Sequence, residues 1–368
     1  MRRLSILAIS VAALACAAAA SGSFPGTNGR LAYFYAAEIW TLGADGTAAR
    51  SLGAGLSPAW SPNGRSIAFD TLVERNYDVW MMRADGSGRR RVTQDPALDY
   101  FASWSPDGAS IVFTSDRGGE DLFVIGADGS GERRLTDDPG PDWGAAWSPD
   151  GTRIAFAGNA RGNLEVEVVN VDGTGRIALT NDPGRDYDPA WSPDGTRIAF
   201  TSERDGNANV YVMNADGTGV TPVTQEPSGD WRPSWSPDGT LIAFESDRDE
   251  AVLDRDVYVM AADGSGQRRL RTGNVNARDV DWQPTVDLRL SLIRKSRTSL
   301  VQVTNIGPAP ALRVRLYVRA AGRRRVHTLG TLAAGATVSR RIAARRFSAL
   351  ASGWQIDRNP RDNAVTSR

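Results

Sequence analysis

The sequence predicts an all-β protein, a six-bladed β-propeller followed by a small β-sandwich. Three observations predict this architecture. A Trp-Ser-Pro motif recurs at a nearly fixed period, and each period contains short apolar runs separated by turn residues. The period stops after Trp282, although strand-like alternation continues to residue 342. A period of roughly 40–45 residues that is built from short strands is typical of propeller blades.

The repeat is defined by the motif Trp-Ser-Pro-Asp/Asn-Gly, which occurs five times and is followed by a degenerate Trp-Gln-Pro. The starts of successive motifs are 44, 43, 44, 44 and 47 residues apart. Pro presets φ for the second position of a type I turn, and Gly accepts the positive φ that follows, so the motif predicts a tight turn. We group it with WD-type repeats. The motifs start at Trp60, Trp104, Trp147, Trp191, Trp235 and Trp282.

Each period contains four candidate strands. The Trp of the motif ends the first strand, and a short apolar strand such as residues 198–200 follows the turn. A polar turn leads to a third strand such as 210–213, and an Ala-Asp-Gly turn leads to a fourth. Asp-Gly between apolar runs is a strong hairpin signal, so each period predicts one four-stranded antiparallel sheet.

Six blades use every strand fragment once. The first unit has an apolar strand at 31–33 without a preceding motif, and the last unit has the Trp282 strand without a following repeat. A blade buries its faces only against neighbouring blades, so an open array would leave edges exposed. We therefore expect residues 24–286 to form a propeller that is closed by pairing of 276–285 with 29–52. The repeated tryptophans are expected to pack between blades.

Residues 1–23 are predicted to be a signal peptide. Two arginines precede the apolar run 4–20, and the three alanines that end the run fit a cleavage site. We expect export to a secreted, periplasmic or cell-envelope location. Cys16 offers an alternative, lipid anchoring as a lipoprotein, although the usual aliphatic residue three positions upstream is missing.

Residues 287–368 are predicted to form a separate β-sandwich. The segment 313–318 alternates apolar and polar residues, as a half-buried strand does. Turn residues separate the apolar runs, and five or more strands in so short a segment favour a sandwich. The predicted strands are 288–293, 300–304, 312–318, 326–332 and 337–342.

Two resemblances follow from these motifs. The repeats, with the lead-in Phe-Pro-Gly-Thr-Asn-Gly at 24–29, resemble the TolB-like propeller family over residues 24–286. That resemblance implies the six-bladed fold, and in TolB the equivalent of one channel end receives protein partners. The segments Val-Thr-Asn-Ile-Gly at 303–307 and Leu-Ala-Ala-Gly at 332–335 resemble the CARDB adhesion-type domain. This implies an Ig-like β-sandwich for residues 287–368.

The formal net charge is zero, but the two parts carry opposite charges. Residues 287–368 contain 17 Lys or Arg and 3 Asp or Glu, whereas residues 24–286 contain 24 and 40. The Arg clusters of the C-terminal part suit anionic cell-wall polymers or a membrane surface, or docking onto the acidic propeller. We expect no nucleic-acid partner for an exported protein, and we expect a monomer. The clusters are Arg323-Arg324-Arg325, Arg340-Arg341 and Arg345-Arg346.

The sequence shows no residue pattern typical of catalysis. The single histidine, His327, lies in the C-terminal part, so no Ser-His-Asp or Cys-His set can form inside the propeller. The loops 116–120 and 204–207 are rich in oxygen ligands but lack the spaced acids and the closing carboxylate of a calcium loop. We expect no enzyme activity, no metal site and no cofactor.

One feature is not required by the repeat. In four successive units an Asp followed by an aromatic residue stands where the chain enters the first strand of a blade. On a propeller these entries surround one end of the central channel, which we call the mouth. The position after the aromatic residue varies, and in two units it carries charge. The candidate ligand-binding residues are Asp99, Tyr100, Asp142, Trp143, Asp186, Tyr187, Asp188, Asp230, Trp231 and Arg232.

Carboxylates and aromatic rings around a mouth suit a cationic peptide segment or the faces of sugars. The alternative is structural, with the Asp side chains capping the loops and the rings packing on neighbouring blades. We predict an extracytoplasmic protein-binding or scaffold module of the cell envelope, with the mouth as its ligand face. Two other functions remain open: a carbohydrate-active hydrolase or lyase using Asp186 and Asp188, and a cell-surface adhesin that works through the C-terminal domain.

Overall fold

The structure is a computed structural model, and its regular elements are all β-strands in the residues that it describes. These residues contain no helix long and apolar enough to cross a membrane. The predicted signal peptide and Cys16 lie outside them. The described residues are 27–159, 162–249, 255–270, 277–286, 288–294, 299–305, 311–320, 323–332, 336–342, 347–352, 356–357 and 364–367.

Six antiparallel four-stranded units form the blades, and the six-bladed prediction is confirmed. Blade one comprises β1 (Thr27–Tyr35), β2 (Glu38–Gly43) and β3 (Arg50–Ala54), and blade two comprises β4 (Leu56–Trp60), β5 (Ser66–Val73), β6 (Asn76–Arg83) and β7 (Arg90–Arg91). Blade three comprises β8 (Asp99–Trp104), β9 (Ser110–Ser115), β10 (Asp121–Gly126) and β11 (Arg133–Arg134).

The remaining blades repeat this order, with a first strand on the inside and a two-residue fourth strand on the outside. Blade four comprises β12 (Asp142–Trp147), β13 (Arg153–Gly158), β14 (Glu165–Asn170) and β15 (Ile177–Ala178). Blade five comprises β16 (Asp186–Trp191), β17 (Arg197–Ser202), β18 (Asn209–Asn214) and β19 (Thr221–Pro222). Blade six comprises β20 (Asp230–Trp235), β21 (Leu241–Ser246), β22 (Asp256–Ala261) and β23 (Arg268–Arg269).

Blade one obtains its innermost strand from the far end of the propeller sequence. β24 (Arg278–Val286) pairs antiparallel with β1, and Leu31 lies opposite Trp282. β24 also contacts β20 on one side and β4 on the other, and each other inner strand contacts the next. The six inner strands therefore form a closed ring around one axis.

The tryptophans of the repeated motif are buried between blades, as predicted. Trp191 packs with Phe200 of its own blade and with Val168 of the preceding blade. The indole Nε1 of Trp104 donates a hydrogen bond to the carbonyl oxygen of Ala59 in blade two, at 3.1 Å. Burying such a ring removes about 150–250 Å² from water, so these contacts form a large part of the core.

The Pro-Asp-Gly part of the motif makes the turn after each inner strand. In blade five the carboxylate of Asp194 accepts hydrogen bonds from the Ser192 hydroxyl at 2.6 Å and from the Thr196 amide at 3.0 Å. Gly195 follows at a φ of 72°, which glycine adopts without strain. In blade two Asn63 takes the place of the Asp and accepts the same two bonds.

Five C-terminal strands, β25 to β29, overlap the predicted segments, and the structure adds β30 to β32. β25 (Leu288–Arg294), β26 (Ser299–Asn305) and β29 (Thr337–Ile342) form one sheet. β27 (Ala311–Ala320), β28 (Arg323–Leu332), β30 (Phe347–Ser352) and β32 (Ala364–Ser367) form the other, and β31 (Ile356–Asp357) pairs in parallel with the end of β24. The Ig-like, CARDB-like class of this part stays a prediction.

Candidate functional site

A bulge occurs at the same place in the inner strand of every blade. The ladder between the first and second strands shifts register two residues after the strand entry, and the residue at the shift has a left-handed backbone. Because the inner strands form a closed ring, these residues surround the propeller axis at the mouth, and we call them the channel positions. The channel positions are Ser57 (φ 46°), Phe101 (57°), Gly144 (65°), Asp188 (53°), Arg232 (56°) and Asp279 (55°).

The preceding blade stabilises several of these bulges. The amide of Arg232 donates to the Thr201 hydroxyl at 3.0 Å, and the amide of Asp279 donates to Glu245 Oε1 at 2.7 Å. The acceptor in each case comes from the second strand of the blade before. Five of the six channel positions are not glycine, and a left-handed backbone is costly for most other residues, so the blade contacts hold these side chains at the mouth against strain.

The four predicted aspartates lie inside the blades rather than on the surface of the mouth. Asp99, Asp142, Asp186 and Asp230 have no exposed surface. Each carboxylate accepts hydrogen bonds from a buried or half-buried guanidinium. The pairs are Asp99–Arg117 at 3.1 Å, Asp142–Arg176 at 2.8 Å, Asp186–Arg204 at 2.9 Å and Asp230–Arg248 at 2.9 Å.

Each of these guanidinium groups also lies over an aromatic ring, which completes an acid–base–aromatic stack inside the blade. Arg117 lies 4.3 Å from the centre of the Phe123 ring, and Arg248 lies 4.8 Å from that of Tyr258. Burial raises the pKa of all four carboxyls, that of Asp142 to about 6, although the arginines oppose the rise. The structure thus gives the four aspartates a role in blade packing, and their contact with a ligand stays a prediction.

The aromatic residues that follow these aspartates remain partly open to solvent on three consecutive blades. Trp143, Tyr187 and Trp231 are half-buried, and the Trp143 and Tyr187 ring centres are 6.0 Å apart. Arg255 lies over the Trp231 ring at 3.6 Å. Tyr100 is buried instead, with its ring edge against Phe101 at 4.8 Å. The predicted aromatic residues therefore form an arc along the mouth from blade four to blade six.

A group of charged side chains lies beside this arc. Arg232 contacts Asp279 at 2.7 Å and Glu245 at 3.2 Å through Nη1, and its Nε lies 3.9 Å from Asp188 Oδ2. Arg255 contacts the other oxygen of Glu245, also at 3.2 Å. These contacts join the consecutive blades five, six and one.

Burial and neighbouring charges shift the pKa values of the carboxyls in and next to this charged group. Burial raises the pKa of Asp188 to about 7, although Arg232 opposes the rise. Burial raises the pKa of Asp70 to about 7 as well, and the charge of Asp279 adds to that effect. Burial also acts to raise the pKa of Glu245, but Arg232 and Arg255 outweigh it and lower that pKa. Near neutral pH the mouth therefore contains carboxyls that gain or lose a proton easily.

Sequence reasoning missed the second-strand residues Asp70 and Glu245 and the arginines that hold the buried aspartates. A signal for the arginines is present, because Ser-Asp/Glu-Arg follows the second strand in blades three, five and six. Blade four has Gly-Asn-Ala at that point, and Arg176 from its outer turn supplies the guanidinium instead. No repeat signal marks Asp70 or Glu245, since the equivalent position in blades three to five carries Thr, Ala and Thr.

The described part of the chain contains no three His, Cys, Asp or Glu side chains arranged to hold a metal ion. His327 lies half-buried in β28, far along the chain from the mouth residues.

The chain has detectable relatives. The sequence profile of the TolB β-propeller domain matches residues 28–141 and 121–307, which together exceed half of the chain. This repeat differs in type from the WD repeat, so our grouping with WD-type repeats is wrong.

Two curated proteins match a short segment. The Tol-Pal system protein TolB of Anaeromyxobacter dehalogenans (strain 2CP-C) is 42% identical over 71 residues, which are 18% of this chain and 16% of that protein. The TolB homologue of Chlorobium luteolum is 36% identical over 73 residues, or 20% and 16% of the two chains. The match thus spans about a sixth of the length of these relatives.

The crystal structure of TolB from Acinetobacter baumannii superposes with a TM-score of 0.64 at 22% identity. It covers 70% of this chain and 67% of that one. At this level of identity the likeness establishes the propeller fold alone.

Proposed function

Because this chain belongs to the TolB β-propeller domain family, we propose that it is an exported, protein-binding module of the cell envelope whose mouth is the ligand face. The proposal extends to the whole chain a partner-binding role that the name "Tol-Pal system protein" suggests for its relatives. The apolar run at residues 4–20 supports export.

The observation that carries the proposal is the arc of half-buried aromatic residues at the mouth. Trp143, Tyr187 and Trp231 occupy equivalent positions on consecutive blades, yet the fold does not require an aromatic residue there. The equivalent residues are Leu56 in blade two and Arg278 in the closing strand. Aromatic side chains that are packed at the base and open at one edge are typical of the centres of protein interfaces.

The hydrolase alternative has less support. Asp186 has no exposed surface and binds Arg204 at 2.9 Å, so it does not stand opposite Asp188 across an open cleft. A general acid or nucleophile must reach its substrate, and the Asp186 carboxylate, which Arg204 binds inside the blade, does not.

Photocrosslinking in the producing cells tests the proposal. Trp143 is replaced by the photoreactive p-benzoylphenylalanine, and a matched variant carries it at Ile177, which is 54% exposed on the outermost strand of the same blade. We expect ultraviolet light to attach a distinct protein at position 143 and not at position 177. Equal crosslinks at both positions, or none at 143, would contradict the proposal.

We further propose that the C-terminal strands contact anionic polymers of the cell wall. Arg323, Arg324 and Arg325 begin β28, which lies at the edge of its sheet, and Arg325 is exposed. Sedimentation with purified cell wall, with and without residues 287–368, tests this. Equal sedimentation of both forms would remove the proposal and with it the adhesin alternative.

A further inference from the structure

We propose that the ligand of the mouth presents a cationic side chain, a guanidinium or an ammonium group, to the carboxylate of Asp188. This inference rests on the proposed function, since it specifies the chemistry of a partner that binds there. It depends on an observation that the proposed function does not use, the incomplete hydrogen bonding of one buried carboxylate.

Asp188 is buried but poorly partnered. It is 3% exposed, and its Oδ1 has no hydrogen-bond partner. Its Oδ2 has a charged neighbour, Arg232 Nε, only at 3.9 Å, which is beyond hydrogen-bond distance. A carboxylate can accept about four hydrogen bonds, and buried polar atoms in native proteins are nearly always satisfied. At a channel position, such an oxygen could accept a hydrogen bond from a donor of another molecule.

The equivalent positions of blade four do not supply that donor. Blade four contributes Gly144 at its channel position and Ala157 on its second strand, and neither has a polar side chain. On the other side, Arg232 directs Nη1 to Asp279 and Glu245. Arg232 thus makes hydrogen bonds to acids of blades six and one, whereas its Nε lies 3.9 Å from Asp188 Oδ2.

The charge of the group also favours a cation. Glu245 contacts both Arg232 and Arg255, and Asp279 contacts Arg232, so these acids are matched by bases. Asp188 contacts Arg232 at the longer distance of 3.9 Å, while Arg232 makes its hydrogen bonds to the other two acids. A metal ion would need six or more oxygen ligands if it were calcium, and such a set is not arranged among the described residues. A planar guanidinium needs only the two oxygens of one carboxylate.

Aromatic rings next to Asp188 suit the same ligand. Tyr187 precedes Asp188 in the strand, and Trp143 lies against Tyr187 with ring centres 6.0 Å apart. Cations bind favourably over aromatic faces, and Arg255 already does so over Trp231 at 3.6 Å in the next blade. A guanidinium bound to Asp188 would repeat that arrangement one blade earlier.

Binding of two capped tripeptides to the full chain tests the inference. One peptide is acetyl-Gly-Arg-Gly-amide, and the other replaces Arg with citrulline, which has nearly the same shape but no charge. We expect the arginine peptide to bind at least about tenfold more tightly in isothermal titration calorimetry. Asp188→Asn should remove this preference, and the matched variant Asp194→Asn, in a turn at the other end of the same inner strand, should keep it.

Equal affinity of the two peptides, or no binding of either at millimolar concentration, would overturn the inference. A preference that persists in Asp188→Asn would overturn it as well, because another acid would then bind the cation. Thermal unfolding of Asp188→Asn is compared with that of the unmodified chain, so that a folding defect is recognised. Crosslinking from position 143 does not depend on charge, so it reports on the proposed function even where the peptides fail.

Discussion

Removal of one arginine from a buried stack should destabilise the propeller in a way that depends on pH. Arg248 binds both oxygens of Asp230 at 2.9 Å, and Asp230 has no exposed surface. Loss of one partner of a buried ion pair costs about 3–5 kcal/mol, because the other charge stays unpaired. Arg248 is 17% exposed, so water can enter, and we expect Arg248→Ala to cost about 3 kcal/mol.

The loss of stability caused by Arg248→Ala should be larger at pH 8 than at pH 5. Burial already raises the pKa of Asp230, and without Arg248 that pKa rises further. A folded-state pKa above the unfolded value contributes stability that is present at low pH and is lost as the pH rises through the folded pKa. Protonated Asp230 at low pH would leave no unpaired charge, so the variant should recover part of its stability there.

Thermal unfolding followed by circular dichroism measures the effect. For a domain of this size a loss of about 3 kcal/mol lowers Tm by about 6–12 °C. Arg268→Ala, a change of an exposed arginine in the same blade, serves as the control and should stay within about 0.5 kcal/mol. Asp230→Asn combined with Arg248→Ala should recover stability. A loss below about 1 kcal/mol at both pH values would refute the structural role of the stack.

Three further predictions concern a turn, a buried acid and ring closure. Asn63→Asp should leave the free energy of unfolding in urea within about 0.5 kcal/mol, because Asp makes the same turn contacts in the other blades, whereas Asn63→Ala should cost about 1 kcal/mol. Asp70→Asn should raise the free energy of unfolding above that of the unmodified chain, and this gain should be about 2–3 kcal/mol larger at pH 8 than at pH 5. The reason is that the pKa of Asp70 near 7 makes its ionisation in the folded state unfavourable. Equal urea midpoint shifts at both pH values would contradict this. A chain that ends after residue 277 lacks β24 and should lose protease resistance, whereas one that ends after 286 should keep it; equal digestion of both would contradict closure by β24.

The blades could be predicted because the signals that define them are local. The Pro-Asp-Gly turn and the apolar run after it lie within a few residues of each other, and they fix a hairpin by backbone preference alone. β17, for example, begins two residues after Gly195 and contains the predicted strand 198–200. The count of motifs then fixes the number of blades.

The burial of the aspartates could not be predicted in the same way, because it depends on a distant partner and on a break in alternation. Arg117 lies 18 residues after Asp99, beyond the range of turn and strand patterns. The bulge at Phe101 inserts an extra residue, so the faces of Asp99 and Trp104 cannot be derived from a two-residue period.

Asp188 and Arg232 were candidate site residues from the sequence, but their contacts with each other and with Asp279 were equally hidden. Arg232, Asp279 and Asp188 are 44 to 91 residues apart in the chain and meet only because three blades close around one axis. The aromatic arc was visible as a pattern, but its partial exposure depends on which neighbours cover each ring. Tyr100, for example, is buried, whereas Trp143 is half-buried.

Fluorine NMR of the chain labelled with 5-fluorotryptophan tests most directly whether the mouth binds a cationic peptide. The sequence contains 11 tryptophans, and each signal is assigned by a Trp→Phe variant. On addition of acetyl-Gly-Arg-Gly-amide we expect the signals of Trp143 and Trp231 to shift, while those of buried tryptophans such as Trp191 and Trp235 stay in place. Shifts confined to the tryptophans between blades, or no shift at Trp143 and Trp231, would contradict binding of the cationic peptide at the mouth.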